Sequence, residues 1–320
     1  MPEEDAARRA TPQDVCAPLT RSAIFLVLEV SPGGEAAARD LLAGLAGLVR
    51  SVGFRSPAAR LSCVAGIGAS AWPRLFAGPQ PAELHPFEEV VGRRHRAVST
   101  PGDLLFHVRG EEMDVCFELA SLVVAGLEGS AAVVDEVHGF RYFDERDLLG
   151  FVDGTENPTG AAALEAALVG AEDAAFAGGS YVLVQKYLHD LSAWNAIPVE
   201  EQERAVGRTK LSNVELGEGA KPADSHVALN TLADVDGRPA QIVRANMPFG
   251  RLGSGELGTY FIGYCRTPRV LEEMIANMFR GRPEGSSDRI LDYSRPVTGT
   301  LFFAPSVDLL EDLPPPPARG

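Results

Sequence analysis

The chain has 320 residues, 45% hydrophobic and 23% charged, an ordinary balance for a globular protein long enough for two domains. Its 44 acidic against 29 basic residues leave a net charge of -15, which argues against nucleic acid or an anionic membrane as a partner, because phosphate recognition needs clustered Lys and Arg. Cys16, Cys63, Cys116 and Cys265 are scattered with no C-x-x-C pair, so neither a cysteine zinc cluster nor a thioredoxin-type site has support.

Met1 to Arg21 is polar and has no signal-peptide pattern, and the apolar run that follows is too short to span a membrane, so a cytoplasmic protein is expected. Ser22–Val30 reads as a strand, about Glu35–Val52 as a helix, about Leu61–Gly68 and Leu104–Val108 as strands, about Glu112–Leu127 as a helix and about Ala131–Val137 as a strand. That order, β-α-β-β-α-β, is ferredoxin-like. It recurs with longer insertions: a strand at Ser180–Tyr187, a helical region around Leu191–Val206, strands at Ile242–Asn246 and Gly258–Cys265, a helix at Val270–Phe279 and a strand at Val297–Phe303. The expected fold is therefore α+β, two ferredoxin-like domains, each a four-stranded antiparallel sheet with helices packed on it. The expected boundaries are 1–148, 149–310 and a disordered Pro-rich tail at 311–320.

Chemistry concentrates in the second half. Gly150-Phe151-Val152-Asp153-Gly154-Thr155-Glu156-Asn157-Pro158 sets one acid between glycines and before an Asn-Pro step. Such a loop suits a group that moves a proton at a defined place, although the same residues make ordinary turns. The insertion of about 207–241 carries His226, and a single His is one way to hold haem iron while the opposite face stays open. Alternation puts Ile242, Arg244 and Asn246 on one strand face. Gly253-Ser254-Gly255-Glu256-Leu257-Gly258 matches G-x-G-x-x-G, but a strand follows it where a nucleotide site needs a helix, so it reads as a hairpin connection.

With these residues in hand, the chain resembles the dye-decolourising peroxidases, haem peroxidases with two ferredoxin-like domains, and within them the B-type bacterial class. Gly150–Gly154 matches their G-x-x-D-G signature, and Thr155–Pro158, Val206–Lys210, His226, Val243–Pro248 and Gly258–Phe261 follow in kind and order. The resemblance covers Arg21 to about Ser306. It implies haem b held mainly by the C-terminal domain and reduction of hydrogen peroxide to water through a ferryl and porphyrin-radical state, at the expense of dyes or other one-electron donors. It implies His226 as proximal iron ligand, with Asp288, or next Asp292, as its carboxylate partner. Asp153 becomes the distal proton carrier, Arg244 the fixed charge beside the O–O bond and a propionate holder, and Asn246 an ordering group. Arg208 becomes a propionate partner, Phe261 lines the distal pocket, and Glu156 stands near the cofactor; Glu156 and Glu215 could contribute to a surface metal site, for which no third acid is evident. A homo-oligomer, dimer or hexamer, is expected, and an encapsulating shell is compatible with the family though the tail shows no docking peptide. Two other readings stay open on the residues alone: a haem carrier or iron-releasing protein using the same pocket, and a ferredoxin-like oligomer that binds another small ligand.

Overall fold

The computed structural model describes residues 10–233, 237 and 239–318. In the N-terminal half, β1 (Ser22–Val30), β2 (Ser62–Gly68), β3 (Leu104–Gly110) and β4 (Ala131–Phe140) form antiparallel pairs in the order β2-β3-β1-β4. Helices α1 (Glu35–Gly53) and α2 (Met113–Gly126) cover one face, α1 through Ala38, Leu41, Leu42, Leu45 and Val52 at helical spacing.

The C-terminal half repeats this order. It uses β5 (Ser180–His189), β6 (Met247–Arg251), β7 (Glu256–Cys265) and β8 (Thr300–Ala304), paired β8-β5-β7-β6. In both halves the sheet runs fourth, first, third, second, the ferredoxin-like arrangement. The two sheets also join each other at both edges. β8 meets β2 at Phe302↔Gly68 and Phe303↔Ile67, and β4 meets β6 at Gly139↔Phe249. The result is a ring of eight strands closed at these two short seams, with Ser294–Pro296 and Val243–Arg244 added on the edges of β5 and β7. Phe25, Val64, Val182, Tyr260, Ile262 and Phe302 fill its interior.

Alternation along β5 and β7 makes both strands two-faced. Tyr260, Ile262 and Tyr264 point into the ring, while Gln185, Tyr187, His189, Thr259 and Phe261 face outward into a cavity. The opposite wall is α5 (Pro268–Arg280), whose Leu271, Met274, Ile275 and Met278 face the same space. Thr267 caps this helix by accepting the Arg269 N–H, Pro268 occupies its first turn and Gly281 ends it. The fold thus produces a cleft between a polar strand face and an apolar helix face.

Several expectations change. The helical region at 191–206 is two helices, Leu191–Ala196 and Val199–Val206, because Pro198 forces Ile197 out of helical geometry. His226 is not in a loop but opens a short helix, α4 (His226–Asn230), capped by the Ser225 hydroxyl. The tail expected to be disordered is anchored: Leu313 packs on the core and the Pro315 carbonyl accepts the Ala77 N–H at 2.8 Å. Residues 319 and 320 of that tail lie outside the described residues. The basic run Arg93–Arg96 lies in a hairpin between Val90–Val91 and Arg96–Ala97, an element not anticipated. The 253–258 glycine segment is the β6–β7 hairpin, with Arg251 opposite Glu256.

Candidate active site

The Asp153 loop is fixed from its base upward. Leu149 and Phe151 are buried against Trp194, Ala205 and Val206, and the Trp194 Nε1–H donates to the Leu149 carbonyl at 2.9 Å. Gly150 has φ +92°, so the backbone favours glycine, and a Cβ there would also push aside the end of the Lys210 side chain, 2.5 Å away at Cε. Asp147 closes the turn: its Oδ1 accepts the Phe151 N–H at 3.0 Å. Arg146 straps the loop by donating to the Gly150 carbonyl at 2.9 Å.

On this base Asp153 faces the cavity. The Asn246 amide donates to both of its oxygens, at 3.1 and 2.9 Å, and the Gly154 N–H donates to Oδ1 at 2.7 Å. Asn246 is itself held, since its Oδ1 accepts the Ile262 N–H at 3.0 Å. Asn157 pairs with the backbone of Arg244 in both directions, at 2.7 and 3.0 Å. An amide side chain here does the work of a neighbouring strand, and it registers the Asp153 loop against Arg244.

Arg244 lines the cavity, and its buried Nε has no hydrogen-bond partner among the described residues. Across the same space stands His226, one-third exposed. Its Nδ1 bonds the Asp288 Oδ2 at 2.7 Å, while its Nε2 has no partner among the described residues. Asp288 is completely buried, and its Oδ1 accepts the Ile290 N–H. Burial opposes a charge on His226, but the Asp288 carboxylate and its hydrogen bond prevail and raise the imidazole above its ordinary value.

The cavity measures about 970 Å³ when the open solvent at its mouth is counted. Asp153, Asn246, Arg244, His226 and Phe261 all line it, and Asp288 stands behind His226. Glu156 lines an adjoining opening together with His226 and Arg244. Arg208 does not line the cavity. It bonds Glu156 at 2.9 Å and Asn213, and it faces Glu215 at 3.8 Å. Asp292 does not reach His226; it is taken up by Arg94 and His95. Glu156 and Glu215 share Arg208 as a counter-ion, and no group of three or more metal-ligating side chains occurs among the described residues.

Sequence reasoning missed four groups of this cavity: Asp147, Gln185, Tyr187 and the ligand-facing role of His189. Burial, then the charge of Asp153, push the Asp147 carboxyl up to about 7, against the backbone N–H groups around it. Burial pushes His189 down to about 4, and the ring spans Thr259 and Ser294.

Across one cavity, an imidazole with a nitrogen unpartnered among the described residues thus faces an acid and a guanidinium whose Nε is unpaired among them. The comparisons identify the family. The C-terminal model of the Dyp-type peroxidases matches residues 144–309 and the N-terminal model residues 12–141. The chain belongs to the Dyp-type peroxidase family. It is 61% identical over 309 residues to a dye-decolorizing peroxidase of Mycolicibacterium paratuberculosis, covering 97% of this chain and 87% of the relative. Among solved structures, the encapsulated DyP-type peroxidase of Mycobacterium smegmatis superimposes with a TM-score of 0.95 at 59% identity, covering 96% of this chain and all of the other. DyPB of Rhodococcus jostii superimposes with a TM-score of 0.92 at 55% identity, covering 95% of this chain and 99% of the other, and variants of it were solved in complex with heme. Among the described residues, no helix of this family member is long and apolar enough to cross a membrane.

Proposed function

We propose that this peroxidase holds haem b in the cavity, with His226 on the iron and Asp153, Arg244 and Asn246 on the opposite side, and reduces hydrogen peroxide while oxidising dyes or other one-electron donors. The observation that carries the reading is the pair of unsatisfied groups: the His226 Nε2 and the Arg244 guanidinium face one space, and each lacks a protein partner among the described residues. The buried Arg244 Nε without a partner costs about 1–3 kcal/mol, which an anionic edge of a bound cofactor would offset, and the His226 Nε2 would be free to hold its metal. When bound, haem supplies two electrons for O–O cleavage and takes them back singly from donors.

The protein's own groups do the rest. Asp153 accepts the proton from one peroxide oxygen and returns it to the other, which leaves as water. Asn246 aims that carboxylate by bonding both its oxygens. Arg244 puts a fixed positive charge beside the bond that breaks. Asp288 makes the His226 imidazole a more basic ligand. Phe261 and the apolar face of α5 keep water out. Arg208 acts on the cofactor's edge only through Glu156, which it holds.

The absorption spectrum of haem-reconstituted protein, before and after one equivalent of hydrogen peroxide, tests the reading. A Soret band that changes within milliseconds is expected. A Soret band indifferent to peroxide would favour a haem carrier, and absence of any band would discard both.

A cytoplasmic homo-oligomer fits the exposed apolar residues Phe117, Val134, Phe140 and Phe143, and sedimentation tests it. A protein shell as partner rests on the encapsulated M. smegmatis relative alone.

A further inference from the structure

Reduction of hydrogen peroxide to two waters consumes two electrons and two protons. The proton that Asp153 carries from one oxygen to the other is conserved, so both consumed protons must be delivered to the cavity from elsewhere. Asp153 is poorly arranged to keep a spare one, because the Asn246 amide and the Gly154 N–H make both its oxygens acceptors. A second carboxyl lines the same cavity. Asp147 accepts one hydrogen bond, from the Phe151 N–H to Oδ1, and its other oxygen receives no donor among the described residues.

We propose that Asp147 is the proton reserve behind Asp153: a carboxylic acid that gives its proton toward the distal site as peroxide is reduced and regains one from solvent between turnovers. The inference rests on the peroxidase reading above and assigns to the same site a residue that reading does not use.

The surroundings favour this role. Asp153 rides on the same glycine-pinned turn, and its charge opposes a second one. Arg146, next in the chain, spends its guanidinium on Asp144 and on the carbonyls of Gly150 and Leu211. Lys210 donates to the Gln202 Oε1 at 2.5 Å and interacts with Asp147 through charge without a hydrogen bond, and Glu203 accepts the Lys210 backbone N–H. His189 lines the cavity from β5 and is held neutral by burial. Arg244 and the His226–Asp288 pair stand across the space. No cation hydrogen-bonds Asp147 among the described residues. Burial first, and Asp153 second, place its titration at about 7, where an acid both gives and regains a proton readily.

The competing account is that Asp147 only closes the turn at Phe151. Asp147→Asn separates the two, because the amide keeps an oxygen for the Phe151 N–H and cannot titrate. The first measurement uses protein without cofactor. An acid whose folded value lies above its unfolded value stabilises the fold fully at low pH, and that stability is lost as pH rises from about 4 to about 7. Asp147→Asn should remove this contribution in urea unfolding, so that the variant gains stability relative to wild type as pH rises through that window. The second uses the haem-loaded enzyme. The variant should lose at least about tenfold more in kcat than in kcat/KM for peroxide, and the inflection of kcat near neutral pH should vanish. An unchanged pH dependence of unfolding overturns the inference. So do kcat and kcat/KM falling together, or both keeping wild-type values. Wild-type protein that ignores peroxide would remove the function on which this rests, whereas a wild-type-like Asp147→Asn removes this inference alone.

Discussion

At the scale of residues, the site is built by partners that touch no substrate. Asp288 holds His226 at 2.7 Å from a fully buried position, so its loss leaves the imidazole free to turn. Asp288→Asn should speed loss of bound haem by about 10–100-fold, read as transfer to an acceptor protein, because partners of a metal-ligating His are worth that much in affinity. Asn157 is the second such partner. Asn157→Ala leaves the Arg244 N–H and carbonyl without their two bonds, at a cost of about 1–3 kcal/mol in urea unfolding. It should also slow the reaction with peroxide, since the Asp153 loop then slides against Arg244; an unchanged rate would mean that Asn157 is only a turn residue. The sequence displays Asp153 through its glycines, and it points to Arg244 and Asn246 through a strand expected at 242–246, although only Val243–Arg244 is a strand and β6 begins at Met247. It conceals the work of Asn157, whose partner lies 87 residues away, and that of Asp147, which reads as one more charge in an acidic stretch.

At the scale of elements, the cavity depends on how closely β5 and β7 approach. Gly258 of β7 sits opposite Leu188, and a Cβ on it would stand 1.8 Å from the Tyr187 carbonyl oxygen. Backbone cannot yield as a flexible side chain can. Gly258→Ala should therefore cost about 1–3 kcal/mol in urea unfolding. It should also disturb Thr259 and Phe261, the next residues on the cavity wall, and so weaken haem uptake in a titration followed at the Soret band. Uptake identical to wild type would show that the wall tolerates a shifted strand. Long periodic elements such as α1, α5 and β7 were legible because their apolar spacing repeats over two or more turns or several alternations. The five-residue helix that begins at His226 was not, since so short a segment shows no period, and its start is set by the Ser225 hydroxyl.

At the scale of the whole molecule, the duplicated β-α-β-β-α-β order was readable in both halves. Closure of the two sheets into one ring was not, because it rests on single pairings such as Gly139↔Phe249 that leave no period in the chain. The folded molecule also has a pH dependence that no single segment sets. His189 titrates at about 4 in the fold and near about 6.5 unfolded, so its share of stability is lost as pH falls through that window. His107, buried in the ring beside Arg109, is lowered in the same direction. Asp147 acts with opposite sign over the same range, its share being lost as pH rises toward about 7. His226 and His85, raised despite burial by their carboxylate partners, act with the same sign as Asp147, so opposing shares meet between pH 5 and 6.5 and each is read as the difference between a variant and wild type. Relative to wild type, His189→Gln should lose less stability on acidification and Asp147→Asn should lose more. Urea unfolding of the three proteins at pH 5 and 6.5 decides the matter: parallel slopes in all three would mean that neither His189 nor Asp147 changes its proton on folding.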